Sequence, residues 1–171
     1  MKRLELTPYV IYCLDEEIKN DDLTIIEGKA STGKTNNILN IAVNKVLENK
    51  VVLLFSLELS KDSCLERISK QHKELIVEQL SDLIIDDTPA ISIGEITSRC
   101  KNLKETRKLE LVLIDYLQLI KEYGDKDICY ELKQLALKLE VPIVVTSQIR
   151  ENIEELKETI FKFADNVITI E

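Results

Sequence analysis

Leu23-Thr24-Ile25-Ile26-Glu27-Gly28-Lys29-Ala30-Ser31-Thr32-Gly33-Lys34-Thr35 decides the fold. An apolar β-type run leads into Gly28, four residues, then Gly33-Lys34-Thr35, the pattern of a phosphate-binding loop. The segment that follows, Asn36 to Leu47, is helical in pattern, with Ile38, Leu39, Ile41, Ala42 and Val46 on one side. Strand, loop and helix therefore stand in the order this chemistry requires. Two of the chain's 4 glycines fall in the octapeptide from Gly28 to Thr35. They let the backbone turn its N–H groups inward, and the next helix aims its positive end at the same point. Gly28, Ala30, Ser31, Thr32, Gly33, Lys34 and Thr35 are thus the predicted triphosphate-binding residues. Lys34 is placed for the β- and γ-phosphates and the Thr35 hydroxyl for Mg²⁺, whereas Lys29 reads as a solvated loop residue.

Outward from this loop, strands and helices alternate. Strands are expected at 23–27, 51–57, 83–86, 110–115, 142–146 and 166–170. Helices are expected at 34–48, 61–80 with a break near Gln71, 92–107, 127–140 and 153–162. Val51-Val52-Leu53-Leu54-Phe55, Leu111-Val112-Leu113-Ile114 and Ile143-Val144-Val145 are continuously apolar. Strands buried on both faces have that composition, so the class is α/β, a mainly parallel sheet with helices on both faces. Ahead of it, residues 1–22 read as a helical extension, with Thr7 as cap, Pro8 in the first turn and Ile11, Leu14 and Ile18 on one face of a helix over 7–19.

Ligands on such sheets bind at the carboxyl ends of the strands. Each core strand there runs into polar residues: Ser56-Leu57-Glu58, Asp115, and Thr146-Ser147-Gln148. Asp115, after four apolar residues, matches the acid that holds Mg²⁺ in nucleotide sites. Glu58 is placed to act as general base on an attacking water, and Gln148 to sense the γ-phosphate. The plain alternatives are a helix-capping acid for Glu58 and a turn residue for Gln148.

Composition sets limits. The chain has 171 residues, 44% of them apolar and 32% charged, and a net charge of −8. That suits one soluble domain with a sizeable core. The acidic balance argues against tight nucleic-acid binding by a single copy. The one locally basic stretch, Lys101 to Lys108, reads as a solvated helix end. No apolar stretch reaches membrane-span length, and Met1–Leu6 leads into Thr7-Pro8 instead of a signal core. Cys13, Cys64, Cys100 and Cys129 are too dispersed for a zinc site or disulfide scaffold and read as reduced thiols. The expected location is cytoplasmic, with no membrane partner. His72, in a polar stretch, reads as a surface histidine.

The polar strand ends carry more than their chemistry. Phe55-Ser56-Leu57-Glu58-Leu59-Ser60 resembles the Phe-Ser-Leu-Glu-Met-Ser element of DnaB-type replicative helicases. Ile85-Asp86-Asp87-Thr88-Pro89 and Ile114-Asp115-Tyr116-Leu117-Gln118-Leu119 resemble two more elements of that family. So do Leu139-Glu140-Val141-Pro142, Thr146-Ser147-Gln148-Ile149 and Ala164-Asp165-Asn166-Val167, in family order from about residue 23 to 170. The resemblance implies a RecA-like P-loop NTPase core at 23–171, with the Asp115 strand between those of Glu58 and Gln148. It implies ATP and Mg²⁺ as ligands, with Lys34 and Thr35 on phosphate and metal, Asp115 on Mg²⁺, Glu58 as catalytic base and Gln148 as γ-phosphate sensor. It also implies single-stranded DNA and either further copies (the family hexamer) or a replication protein as partners.

Three features depart from the family. Its DNA-facing loop corresponds to Ile120–Asp127, which here is short and of mixed charge. Its arginine finger, worth on the order of 10³–10⁵ in rate, lies in a segment beyond the last matching strand, and this sequence ends at Glu171 before it. Arg150 follows Ile149 directly, where the family's arginine comes one residue later. Slow hydrolysis by the isolated chain is therefore expected. An inactive nucleotide-binding module that contacts a helicase is the alternative. A small-molecule kinase would need an arginine-bearing lid, and the few scattered arginines supply none.

Overall fold

The computed structural model describes residues 2–6, 18–121, 127–149 and 162–170. Among them, seven strands form one sheet: β1 (Lys2–Leu6), β2 (Leu23–Gly28), β3 (Val52–Ser56), β4 (Leu83–Asp86), β5 (Leu111–Asp115), β6 (Ile143–Gln148) and β7 (Asn166–Ile170). Their order across the sheet is β1-β7-β2-β6-β5-β3-β4, and every pairing is parallel. The α-helices of the same residues are α1 (Lys34–Leu47), α2 (Lys61–Gln71), α3 (Ile93–Arg107) and α4 (Ile128–Leu139).

Alternate residues of the same strands feed two cores. Leu53, Phe55, Val112, Ile114, Ile143 and Val145 pack with α3 and α4 on one face. Val52, Leu54, Leu111, Leu113 and Val144 pack with α1 and α2 on the other. This double burial is why the strand sequences show no polar alternation. It also sorts the strand ends: Asp115 and Thr146 continue the α1 face, and Ser147 continues the α4 face.

The six expected strands are present with shifts of at most two residues at their ends. The break expected near Gln71 is real: α2 ends there, and a 3₁₀ turn takes up Val77–Leu80. The β5 strand lies between β3 and β6, as the resemblance implied. The helical extension expected over 1–22 needs correction, because Lys2–Leu6 is a strand paired in parallel with β7. Its partner lies over 160 residues away in sequence, Lys2 opposite Asn166, so local pattern could not report it. Residues 7–17 of the helix expected over 7–19 lie outside the described residues, and Ile18 and Lys19 are not helical. The helix expected at 153–162 falls outside them as far as residue 161.

His72 also departs from expectation. It ends α2 half-buried, with Nε2 2.9 Å from Asn40 Oδ1 on α1, so it ties two helices instead of facing solvent. Cys64, Cys100 and Cys129 are free and buried, and Cys13 lies outside the described residues. Among the described residues no helix is long and apolar enough to cross a membrane.

Candidate active site

The site forms where β2 ends and α1 begins. Ser31 (φ 65°) and Gly33 (φ 85°) adopt left-handed backbone, which turns the chain back over the helix start. Gly28 is glycine for a different reason. A Cβ there would stand 2.6 Å from Thr32 Oγ1 and 2.8 Å from the Ile170 carbonyl oxygen of β7, so the loop and the neighbouring strand close over it.

Helix α1 starts unlike its companions. Side chains of Ser60, Ser92 and Asp127 cap α2, α3 and α4, and each of those helices carries an acid in its first turn. The cap position of α1 is Gly33, with no side-chain hydrogen bond and no acid in the first turn. Its first amides and positive dipole end are left for an anion.

Lys34 is buried at this end. Its Nζ donates to the Gly28 carbonyl at 2.8 Å and to the Lys29 carbonyl. Burial pushes its ammonium below the usual lysine range, and the Asp115 and Glu58 carboxylates partly counter that shift. A polyanion in the cleft would favour the charged form further. Thr35 Oγ1 donates to Asp115 Oδ2 at 2.7 Å, and Thr146 Oγ1 donates to Asp115 Oδ1. Asp115 is 3% exposed, so these donors are its protein support. A carboxylate beside a threonine hydroxyl is an oxygen donor set suited to a hard divalent cation.

A cleft of about 380 Å³ joins these groups. Ala30, Ser31, Gly33, Lys34, Thr35, Asp115, Glu58 and Gln148 line it together with Asn36, Leu59, Arg67 and Tyr116. Glu58 is exposed to the cleft and does not cap α2. Ser60 accepts from Ser63 N–H at 3.2 Å and Asp87 accepts from Lys61 N–H at 2.7 Å, so both jobs of a capping acid are taken. Gln148 is the last residue of β6, not a turn residue.

Not every polar strand end reaches the cleft. Ser56 is buried, donates to the Leu59 carbonyl at 2.7 Å and lies 3.1 Å from Cys64 Sγ. Ser147 faces the opposite side of the sheet and accepts from Gln118 Nε2 at 3.0 Å. Three residues gain a role that their sequence context did not give them. Arg67 reaches the cleft only because α2 packs beside Glu58; its spacing from the loop carries no signal. Thr146 supports Asp115 across two strands. Gln118 grips the end of β6. Arg150 and the stretch 122–126 lie outside the described residues.

The profile of the DnaB-like helicase C-terminal domain family matches residues 13–82 and 69–165. The replicative DNA helicase DnaC of Bacillus subtilis (strain 168) is 32% identical over 169 residues, covering 80% of this chain and 37% of that protein. A probable replicative DNA helicase of Trieres chinensis is 35% identical over 181 residues, covering 85% of this chain and 39% of that one. The chain thus spans under two fifths of the length of these relatives. Among solved structures, one of an isolated ATPase domain has the same fold, with a TM-score of 0.72, 20% identity, and coverage of 96% of this chain and 75% of that one. A DnaB-like replicative helicase described with its primase interactions gives 0.64 at 23% identity, over 83% and 42% of the two chains.

Proposed function

The chain belongs to the DnaB-like helicase C-terminal domain family, and we propose that it binds and hydrolyses ATP with Mg²⁺ in DNA replication or mobile-element maintenance. The unit that does so is the RecA-like domain at 23–171. The uncapped start of α1 and the loop amides take the phosphates, and Lys34 stands over the β- and γ-groups. Thr35 and Asp115 are the residues that would hold Mg²⁺, which when bound neutralises charge developing on the phosphates. Glu58 takes the proton of the attacking water and Gln148 contacts the γ-phosphate. Arg67, which also lines the cleft, adds positive charge for the phosphates.

One observation carries this reading: the Glu58 carboxylate opens into the cleft that also holds Lys34, Asp115 and Gln148, while other residues cap the helix beside it. A structural acid would be engaged; a general base must be available to water. Steady-state phosphate release from purified protein tests it. Glu58→Gln is expected to lower kcat by about 10²–10⁴-fold with ATP binding retained. Equal rates in wild type and variant, with ATP still bound, leave a nucleotide-binding module that contacts a helicase, a reading favoured by the net charge of −8. By likeness to its longer relatives, the proposed setting is cytoplasmic, on single-stranded DNA, within a ring of like domains or beside a replication protein such as primase.

A further inference from the structure

The connection after β5 reaches across to the end of β6 through one side chain. Past Asp115, Tyr116 is extended and Leu117–Leu119 forms a 3₁₀ turn. Leu117 is fully buried, which anchors the turn against the sheet. Gln118 on this turn donates from Nε2 to the Gln148 carbonyl at 3.2 Å and to Ser147 Oγ at 3.0 Å. Its Oε1 accepts the Gln148 N–H at 3.3 Å.

Sheet geometry explains why a glutamine is needed. In a parallel ladder the N–H and C=O of one residue point to the same neighbour. The β5–β6 pairing ends at Ile114 opposite Val145. On the other side β2 still runs alongside, Gly28 opposite Gln148, with Ile149 N–H donating to the Gly28 carbonyl at 3.0 Å. The N–H and C=O of Gln148 therefore point to the side that β5 has already left. A primary amide can replace a peptide rung, because it carries an N–H donor and a carbonyl acceptor on separate atoms, as a peptide group does. Glutamate would only accept, and methionine would do neither.

We propose that Gln118 is a positioning residue for Gln148: it holds the backbone of the phosphate-facing end of β6 and ties it to the β5–α4 connection. This rests on the hydrolytic reading above. Gln118 touches no reacting atom, since it grips the Gln148 main chain and the Ser147 hydroxyl while the Gln148 side chain faces the cleft. Loss of the bracket frees the sensor and leaves the phosphate loop intact.

The test compares Gln118→Met and Gln118→Glu with Gln148→Ala, alone and combined, in the full chain. Gln118→Met is expected to lower kcat about 5–30-fold, with KM for ATP within about twofold of wild type. Gln118→Glu should fall between Met and wild type. Adding Gln118→Met to Gln148→Ala should cost no further rate, because both remove the same function. An unchanged kcat, a matching rise in KM, or fully additive losses would overturn the proposal. Amide hydrogen exchange at Gln148, read by NMR, decides the bracket even if wild type hydrolyses no ATP. Protection should drop in Gln118→Met while β2 and β5 amides keep theirs; unchanged protection refutes the bracket, whereas an inactive wild type refutes the function.

Discussion

Replacing Thr146 by valine removes one oxygen from the centre of the site and leaves the side-chain shape nearly unchanged. Thr146 is fully buried, and its hydroxyl supplies a hydrogen bond to Asp115, which is itself almost wholly buried. The other carboxylate oxygen keeps its donor, Thr35. The cost is therefore that of leaving one oxygen of a buried carboxylate without its protein donor, about 1–3 kcal/mol and toward the upper end for a charged group. For a chain of this size each kcal/mol moves Tm by about 2–4 °C, so Thr146→Val should melt about 4–12 °C below wild type. Thr146→Ser keeps the hydroxyl and loses one methyl, about 1 kcal/mol, and should melt only about 2–4 °C lower. Thermal unfolding of ligand-free protein by circular dichroism, at neutral pH, reads both. If the valine variant melts with wild type, or the serine variant falls further than the valine one, then volume and not the hydrogen bond supports Asp115. The account of how Asp115 is held would then be wrong.

Two further outcomes follow from polar contacts away from the cleft. Ser92 caps α3 in a reciprocal box, accepting from Glu95 N–H at 3.1 Å while Glu95 accepts from Ser92 N–H at 2.9 Å; Ser92→Ala should cost about 1 kcal/mol in urea unfolding and leave nucleotide affinity unchanged. Burial alone would raise the Asp86 carboxyl, but hydrogen bonds from Arg99 and Thr88 outweigh it and hold the group below the usual carboxylate range. A depressed folded value means stability that is present above the unfolded value near ~3.9 and lost as pH falls through the folded one. Asp86→Asn should be less stable than wild type at pH 7 and lose less on acidification below about pH 4, and parallel acid-unfolding curves for the two proteins would contradict this.

Continuous apolar runs named β3, β5 and β6, because a strand buried on both faces has no solvated side to mark with polar residues. The loop between β2 and α1 was readable for a related reason: a glycine-containing turn between an apolar strand and an amphipathic helix depends on local backbone chemistry, and local chemistry is written in consecutive residues. Glu58, Asp115 and Gln148, which all line the cleft, were singled out by combining two local facts, a strand end and a polar side chain. What chain order could not supply were contacts made only once the strands are placed side by side. The reason Gly28 must stay small is the carbonyl of Ile170. The donor that supports Asp115 comes from Thr146 on the adjacent strand. Arg67 enters the cleft through the packing of α2, the rung beside Gln148 is completed by Gln118, and Lys2–Leu6 becomes a strand only against β7. Apart from β1, the strand and helix identities follow from burial patterns a few residues long, so sequence determined them. The neighbours of each buried polar atom follow from the lateral order of seven strands, which only the folded sheet decides.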